Sequence, residues 1–97
     1  MDKYIRVVHK DDSETIIPGH PNYTLKENDA AAFYYANGRI HRDGGPAHWN
    51  TKGDCLWVKN GLAHSLVGPA IVRENERRWY INGKEYSGED WETYVGY

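Results

Sequence analysis

One frame occurs three times in this chain, and recurrence at a fixed spacing constrains the fold more tightly than composition can. The first copy reads Tyr34-Tyr35-Ala36-Asn37-Gly38-Arg39-Ile40-His41, followed by Gly45-Pro46-Ala47. The second reads Trp57-Val58-Lys59-Asn60-Gly61-Leu62-Ala63-His64, followed by Gly68-Pro69-Ala70. The third reads Trp79-Tyr80-Ile81-Asn82-Gly83-Lys84-Glu85-Tyr86 and lacks the Gly-Pro-Ala. The Asn-Gly pairs lie 23 and then 22 residues apart.

Asn-Gly between aromatic and aliphatic runs predicts a type I′ hairpin, because both central residues of that turn need positive φ. Counting outward sets the register. Lys59 faces Leu62, Val58 faces Ala63 and Trp57 faces His64. The same count pairs Tyr35 with Ile40, Tyr34 with His41, Tyr80 with Glu85 and Trp79 with Tyr86. His41 and His64 are therefore expected to stack on Tyr34 and Trp57 across their strands and to hydrogen-bond a neighbouring backbone group, with Phe or Tyr tolerated in their place. Gly-Pro-Ala opens the strand that follows, since proline cannot donate to a ladder. Asn50 to Asp54 and Glu74 to Glu76 are polar turns into the next aromatic strand. Each repeat then contributes about two strands to an antiparallel meander.

The frame aromatic-x-x-Asn-Gly-x-x-His with Gly-Pro-Ala resembles the MORN-like hairpin repeats of small bacterial and bacteriophage proteins, over roughly Tyr34 to Tyr86. The resemblance implies a non-catalytic protein-binding module, in one version a phage-encoded inhibitor of a host factor such as an immune nuclease. It supplies no catalytic residue.

The flanks differ from the repeats. Tyr4 to Val8 and Glu14 to Ile17 read as a capping hairpin, rich in β-branched residues. Pro18-Gly19-His20-Pro21-Asn22 breaks regular structure, and Tyr23 to Lys26 is expected to form a further strand. Ser87 with Asp90 three residues on is a capping-box variant, and Trp91, Tyr94 and Val95 make one apolar stripe, so a short helix is expected from about Gly88 to Tyr94. The expectation is a mainly β single domain over residues 1–97. It comprises an N-terminal cap over residues 1–32, three hairpin repeats over residues 33–86 and a helix within residues 87–97.

With 97 residues the core must be thin, and four Trp and eight Tyr compensate by burying large areas each. A net charge of −2 argues against a nucleic-acid partner. A single cysteine, Cys55, favours a reducing, cytoplasmic setting, and neither a membrane span nor a signal peptide is expected. The histidines suit a structural role better than a metal site, because positions one repeat apart serve the repeat. No nucleophile, acid/base pair or phosphate loop stands out, and neither an enzyme nor a cofactor is expected.

Function is therefore sought at binding residues. Tyr35, Trp49, Tyr80 and Trp91, with Phe33, are the rings that a thin core could leave accessible. Arg39, Arg42 and Arg73 are the cations beside them. Two uses are open: a protein partner, whether a host factor or a second copy in a two-fold homodimer, or a flat nucleotide-like ligand stacked on the rings. An open sheet also has unpaired edges, and Tyr4 to Val8 is the strand expected to expose one.

Overall fold

A computed structural model describes residues 2–96 as a nine-stranded antiparallel sheet, a two-stranded ribbon and one helix. The strands are β1 (Lys3–His9), β2 (Glu14–Pro18), β3 (Asp29–Ala36), β4 (Arg39–Ile40), β5 (His48–Asn50), β6 (Cys55–Leu56), β7 (Val58–Lys59), β8 (Leu62–Ala63), β9 (Ile71–Arg73), β10 (Glu76–Ile81) and β11 (Lys84–Tyr86). Helix α1 spans Gly88–Val95. In space the strands run β11-β10-β9-β6-β5-β3-β1-β2, with β4 on β3 and the β7–β8 ribbon apart.

All three Asn-Gly pairs form type I′ turns. Asn37, Asn60 and Asn82 have φ of 52°, 51° and 49°, and the glycines after them 77°, 79° and 83°. The registers are those counted from the turns: Tyr35 with Ile40, Val58 with Ala63, and Trp79 with Tyr86. Each aromatic strand works in two halves. Residues 31–33 of β3 pair with β5, while residues 35 and 36 pair with β4. β6 pairs with β5 and β9, and β7, one residue further on, pairs with β8. β10 pairs first with β9 and then with β11. Each aromatic strand thus pairs with one or both of the neighbouring Gly-Pro-Ala strands and then closes its own hairpin.

Backbone bonds repeat with the frame. Tyr34 N donates to Ala47 O and Trp57 N to Ala70 O, both at 2.7 Å. Ala47 N donates to Leu56 O and Ala70 N to Arg78 O, both at 2.8 Å. The two alanines are fully buried, leaving no room for a larger side chain where the chain turns from one repeat to the next.

The hairpin tips form a second ladder, and here the histidines make the expected backbone hydrogen bond but not the expected stack. Gly61 N donates to Ile40 O at 2.9 Å, and Gly83 N to Ala63 O at 2.8 Å. Beside each bond a histidine accepts the next turn's asparagine N–H: Asn60 N to His41 Nδ1 at 2.9 Å, and Asn82 N to His64 Nδ1 at 3.0 Å. The rings therefore link one repeat to the next, and neither makes the stacking contact expected with Tyr34 or Trp57. A backbone N–H pointing at a ring nitrogen outranks ring stacking because it must find an acceptor. The third copy has Tyr86 in place of histidine, and its ring meets Tyr94 of α1 at 5.7 Å.

The N-terminal third also departs from expectation in two respects. Residues 20–26 form no strand. They cross one face of the sheet, where Tyr23 and Leu25 pack on a core of Ile5, Val7, Ala32 and Tyr34. This crossing brings β3 to the far side of β1, so β1 lies inside the sheet and β2 is its outer strand. The open edge is therefore Glu14–Pro18, not Tyr4 to Val8. A buried carboxylate clamps the crossing. Asp29 accepts from His9 Nδ1 at 2.9 Å, Tyr23 Oη at 2.6 Å and Lys26 N at 2.7 Å.

At the other end, Ser87 caps α1, its Oγ accepting from Asp90 N at 3.1 Å. Gly96 closes the helix in the left-handed region with φ 88°. Trp91 is buried, Val95 half-buried and Tyr94 62% exposed, so the expected stripe reduces to one anchor and one flanking contact. No described helix is long and apolar enough to cross a membrane.

Candidate interaction surface

In an antiparallel sheet, residues paired across strands share a face, so the registers define rows. Ile5, Val7, Ala32 and Tyr34 point to the face covered by residues 20–26. Trp79 points the same way by alternation, and its ring lies against Gly88 at the start of α1. Both covering elements therefore sit on one face, and the other carries no second layer among the described residues.

On that uncovered face one row runs Arg6–Phe33–His48–Leu56–Ile71–Arg78 through successive registers. Its four central residues and Arg6 are half-buried, with Arg78 exposed at the end. Arg6 carries its guanidinium 4.3 Å from the Phe33 ring centre. It donates to Glu14 Oε1 at 2.8 Å and to Tyr35 Oη at 3.2 Å. The bond to Glu14, ahead of that to Tyr35, raises its pKa beyond the ordinary arginine value. Tyr35 stacks on Tyr4 at 4.8 Å with 11° between planes, and Phe33 on His48 at 4.2 Å with 16°. His48 Nδ1 donates to Ala32 O at 3.1 Å, and burial lowers its pKa below 6.5. Next in the row, Leu56 and Ile71 line a shallow cleft of about 280 Å³, flanked by Asp54, Cys55 and Arg73.

The sequence-derived binding residues divide between locations. Tyr35 lies on the uncovered face, Arg73 stands exposed beside the cleft, and Tyr80 falls on the same side by alternation with Arg78. Trp49 and Arg42 are elsewhere, engaged with the core. Trp49 stacks on buried Tyr34 at 5.5 Å. Arg42 lies 4.2 Å over Tyr34, 5.9 Å from Trp49, and donates to Pro46 O at 3.2 Å. Arg39 is exposed at the first hairpin, apart from both groups. Trp91 is 3% exposed, its Nε1 donating to Ser65 O at 2.9 Å, so it is no surface ring. Sequence reasoning did not bring Arg6, His48, Leu56 and Ile71 together. Only the order of strands across the sheet does that.

The other reactive groups have structural surroundings. Burial, then Asp54, pushes the Cys55 thiol above its ordinary value, away from thiolate chemistry. Ser65 is buried with its Oγ accepting from Val67 N, while the His64 ring turns to Asn82. A cleft of about 620 Å³ opens beside His9, Lys10 and Asp29, whose carboxylate is already committed to the clamp. No three His, Cys, Asp or Glu side chains among the described residues are grouped to hold a metal ion. Around the second hairpin Leu62, Leu66 and Val67 are 49%, 50% and 68% exposed. Asp43 and Gly44 occupy the places of Leu66 and Val67 in the first copy, so the apolar pair is particular to the second. Comparison with protein families, characterised proteins and solved structures finds no match to the chain.

Proposed function

We propose that this chain is a non-catalytic protein-binding module built of MORN-like hairpin repeats, and that it docks its partner on the uncovered face of the sheet. The observation that carries the reading is the row from Arg6 to Ile71, where half-exposed side chains of five strands adjoin with no layer over them among the described residues. Tyr4, Tyr35, Phe33 and His48 are already stacked, and Arg6 is held by two hydrogen bonds. Side chains ordered in advance lose less entropy on binding, and Tyr and Arg are favoured at the centres of interfaces. The face is broad and shallow. Its cleft of about 280 Å³ lies at the lower end of the usual range for small-molecule sites, so the preference for a protein rests on the ordered row and not on the cleft. The resemblance of the repeats extends the proposal to a host protein bound in the cytoplasm by a phage-encoded inhibitor.

A photoreactive side chain at Leu56, compared with one at exposed Thr93 on α1, tests the reading. The expected result is a single protein captured from Leu56 and not from Thr93, with capture lost when Arg6→Ala is added. The reading fails if Leu56 captures nothing while a nucleotide raises the melting temperature in proportion to its concentration.

A further inference from the structure

We infer that two copies of this chain pair through β2, antiparallel and centred on Ile16, to continue one sheet into the next. The inference concerns the outer edge of the sheet and stands whether or not a heterologous partner binds its face. Between β1 and β2, His9 N donates to Ser13 O and Gly19 N to Lys3 O, both at 2.8 Å. With Ile5 opposite Ile17 and Val7 opposite Thr15, residues 13, 15, 17 and 19 direct their backbone groups inward. Glu14, Ile16 and Pro18 therefore direct theirs outward, where no strand lies among the described residues.

That outward pattern is self-complementary about Ile16. In an antiparallel two-fold pairing, each Ile16 N–H meets the other Ile16 carbonyl. Each Glu14 N–H meets the other copy's Pro18 carbonyl. Proline has no N–H to offer, and in this register the lack leaves only the Glu14 carbonyl to water. Moving the centre toward Pro18 places a missing donor in the middle, so the proline selects the register as well as ending the strand.

Side chains agree with the backbone. Ile16, 46% exposed, would lie directly against its copy. Glu14 is neutralised by Arg6 at 2.8 Å and would face an uncharged proline, so no like charges meet. The opposite edge is a poorer candidate, because β11 has three residues, begins Lys84-Glu85 and runs into α1. Pairing at β2 would extend the uncovered face across the two-fold axis, with Arg6 and Ile16 of each copy in one row. A two-fold contact closes on itself and stops there.

Sedimentation of the purified chain from micromolar to millimolar concentration, combined with amide hydrogen exchange, tests this. The average mass should rise toward twice the monomer's. The Glu14 and Ile16 amides should become protected as it rises, while those of Thr15 and Ile17, already bonded to β1, stay unchanged. Ile16→Lys should abolish the rise without altering the melting temperature of the dilute chain. A monomer throughout the range overturns the inference. So does a dimer that survives Ile16→Lys or leaves the Glu14 and Ile16 amides exchanging as before.

Discussion

A glycine shapes each hairpin tip and a histidine of the preceding repeat supports the second and third, and substitutions separate their roles. Gly38, Gly61 and Gly83 all have φ near +80°, where a β-branched side chain is strained by about 1–3 kcal/mol. Valine at any of them should lower the denaturant midpoint. Gly83→Ala should cost more than Gly38→Ala, because a Cβ at Gly83 lies 3.2 Å from Leu62 whereas one at Gly38 meets nothing within 4 Å. Wild-type midpoints for all three valine variants would exclude the turn assignment. At His41 and His64 the requirement is for an acceptor, so Phe, which a stacking role would tolerate, should cost about 0.5–1.5 kcal/mol, the net worth of one hydrogen bond. The rung also demands a neutral ring. Burial, and then Lys59, lowers the His64 pKa below 6.5, and burial lowers that of His48. Unfolding restores the ordinary value, so the unfolded chain takes up protons that the folded chain refuses. The stability contributed by these rings is full above pH 6.5 and declines as pH falls through their folded values. Denaturation from about pH 8 to about pH 5 should show that decline, and His64→Phe should make it shallower while lowering stability at neutral pH.

At the scale of elements, α1 stops the repeat. It contains eight residues, too few to be stable alone, and holds by docking one indole. Trp91→Ala should cost about 3–5 kcal/mol by leaving a cavity, whereas Ser87→Ala should cost about 1 kcal/mol as the loss of a cap. Equal losses measured by denaturation would show that docking does not dominate. The crossing segment has a different anchor. Asp29 would have its pKa raised by burial, but bonds from Tyr23, Lys26 N and His9 together hold it below the ordinary carboxylate value. The Tyr23 hydroxyl is pushed up to about 12, by burial first and its bond to Asp29 second. Both groups thus keep the protonation states their bond requires, and residues 20–26 stay over the core without forming a strand.

Across the whole molecule, stability is distributed unevenly. The apolar cluster of Ile5, Val7, Ala32, Tyr34, Ala47 and Val58 lies toward the N-terminal end, while the third hairpin has α1 as its covering element. Repeats that touch only their neighbours can open from the end with least packing. Native-state hydrogen exchange should therefore find amides of β1 and β3 protected to the global unfolding limit. Those of β10 and β11 should exchange through a smaller opening, and Trp91→Ala should enlarge that difference. Uniform protection along the sheet would show a single cooperative unit.

What is local in physical origin was legible in the residues alone. Asn-Gly sets its own dihedral angles, and once they are set the register of Tyr35 with Ile40 or Val58 with Ala63 follows by counting. Ser87 likewise announces α1 through a cap that spans three residues. What depends on elements distant in the chain needed the tertiary structure. His41 finds Asn60 instead of Tyr34, because the neighbouring repeat brings a backbone N–H that must be satisfied. Trp91 is consumed because α1 folds back onto the face that carries Trp79. The surface row of Arg6, Phe33, His48, Leu56 and Ile71 exists because residues 20–26 carry β3 to the inner side of β1. Hairpin geometry is a property of a few adjacent torsions; which face of a sheet stays bare depends on where every covering segment comes to rest.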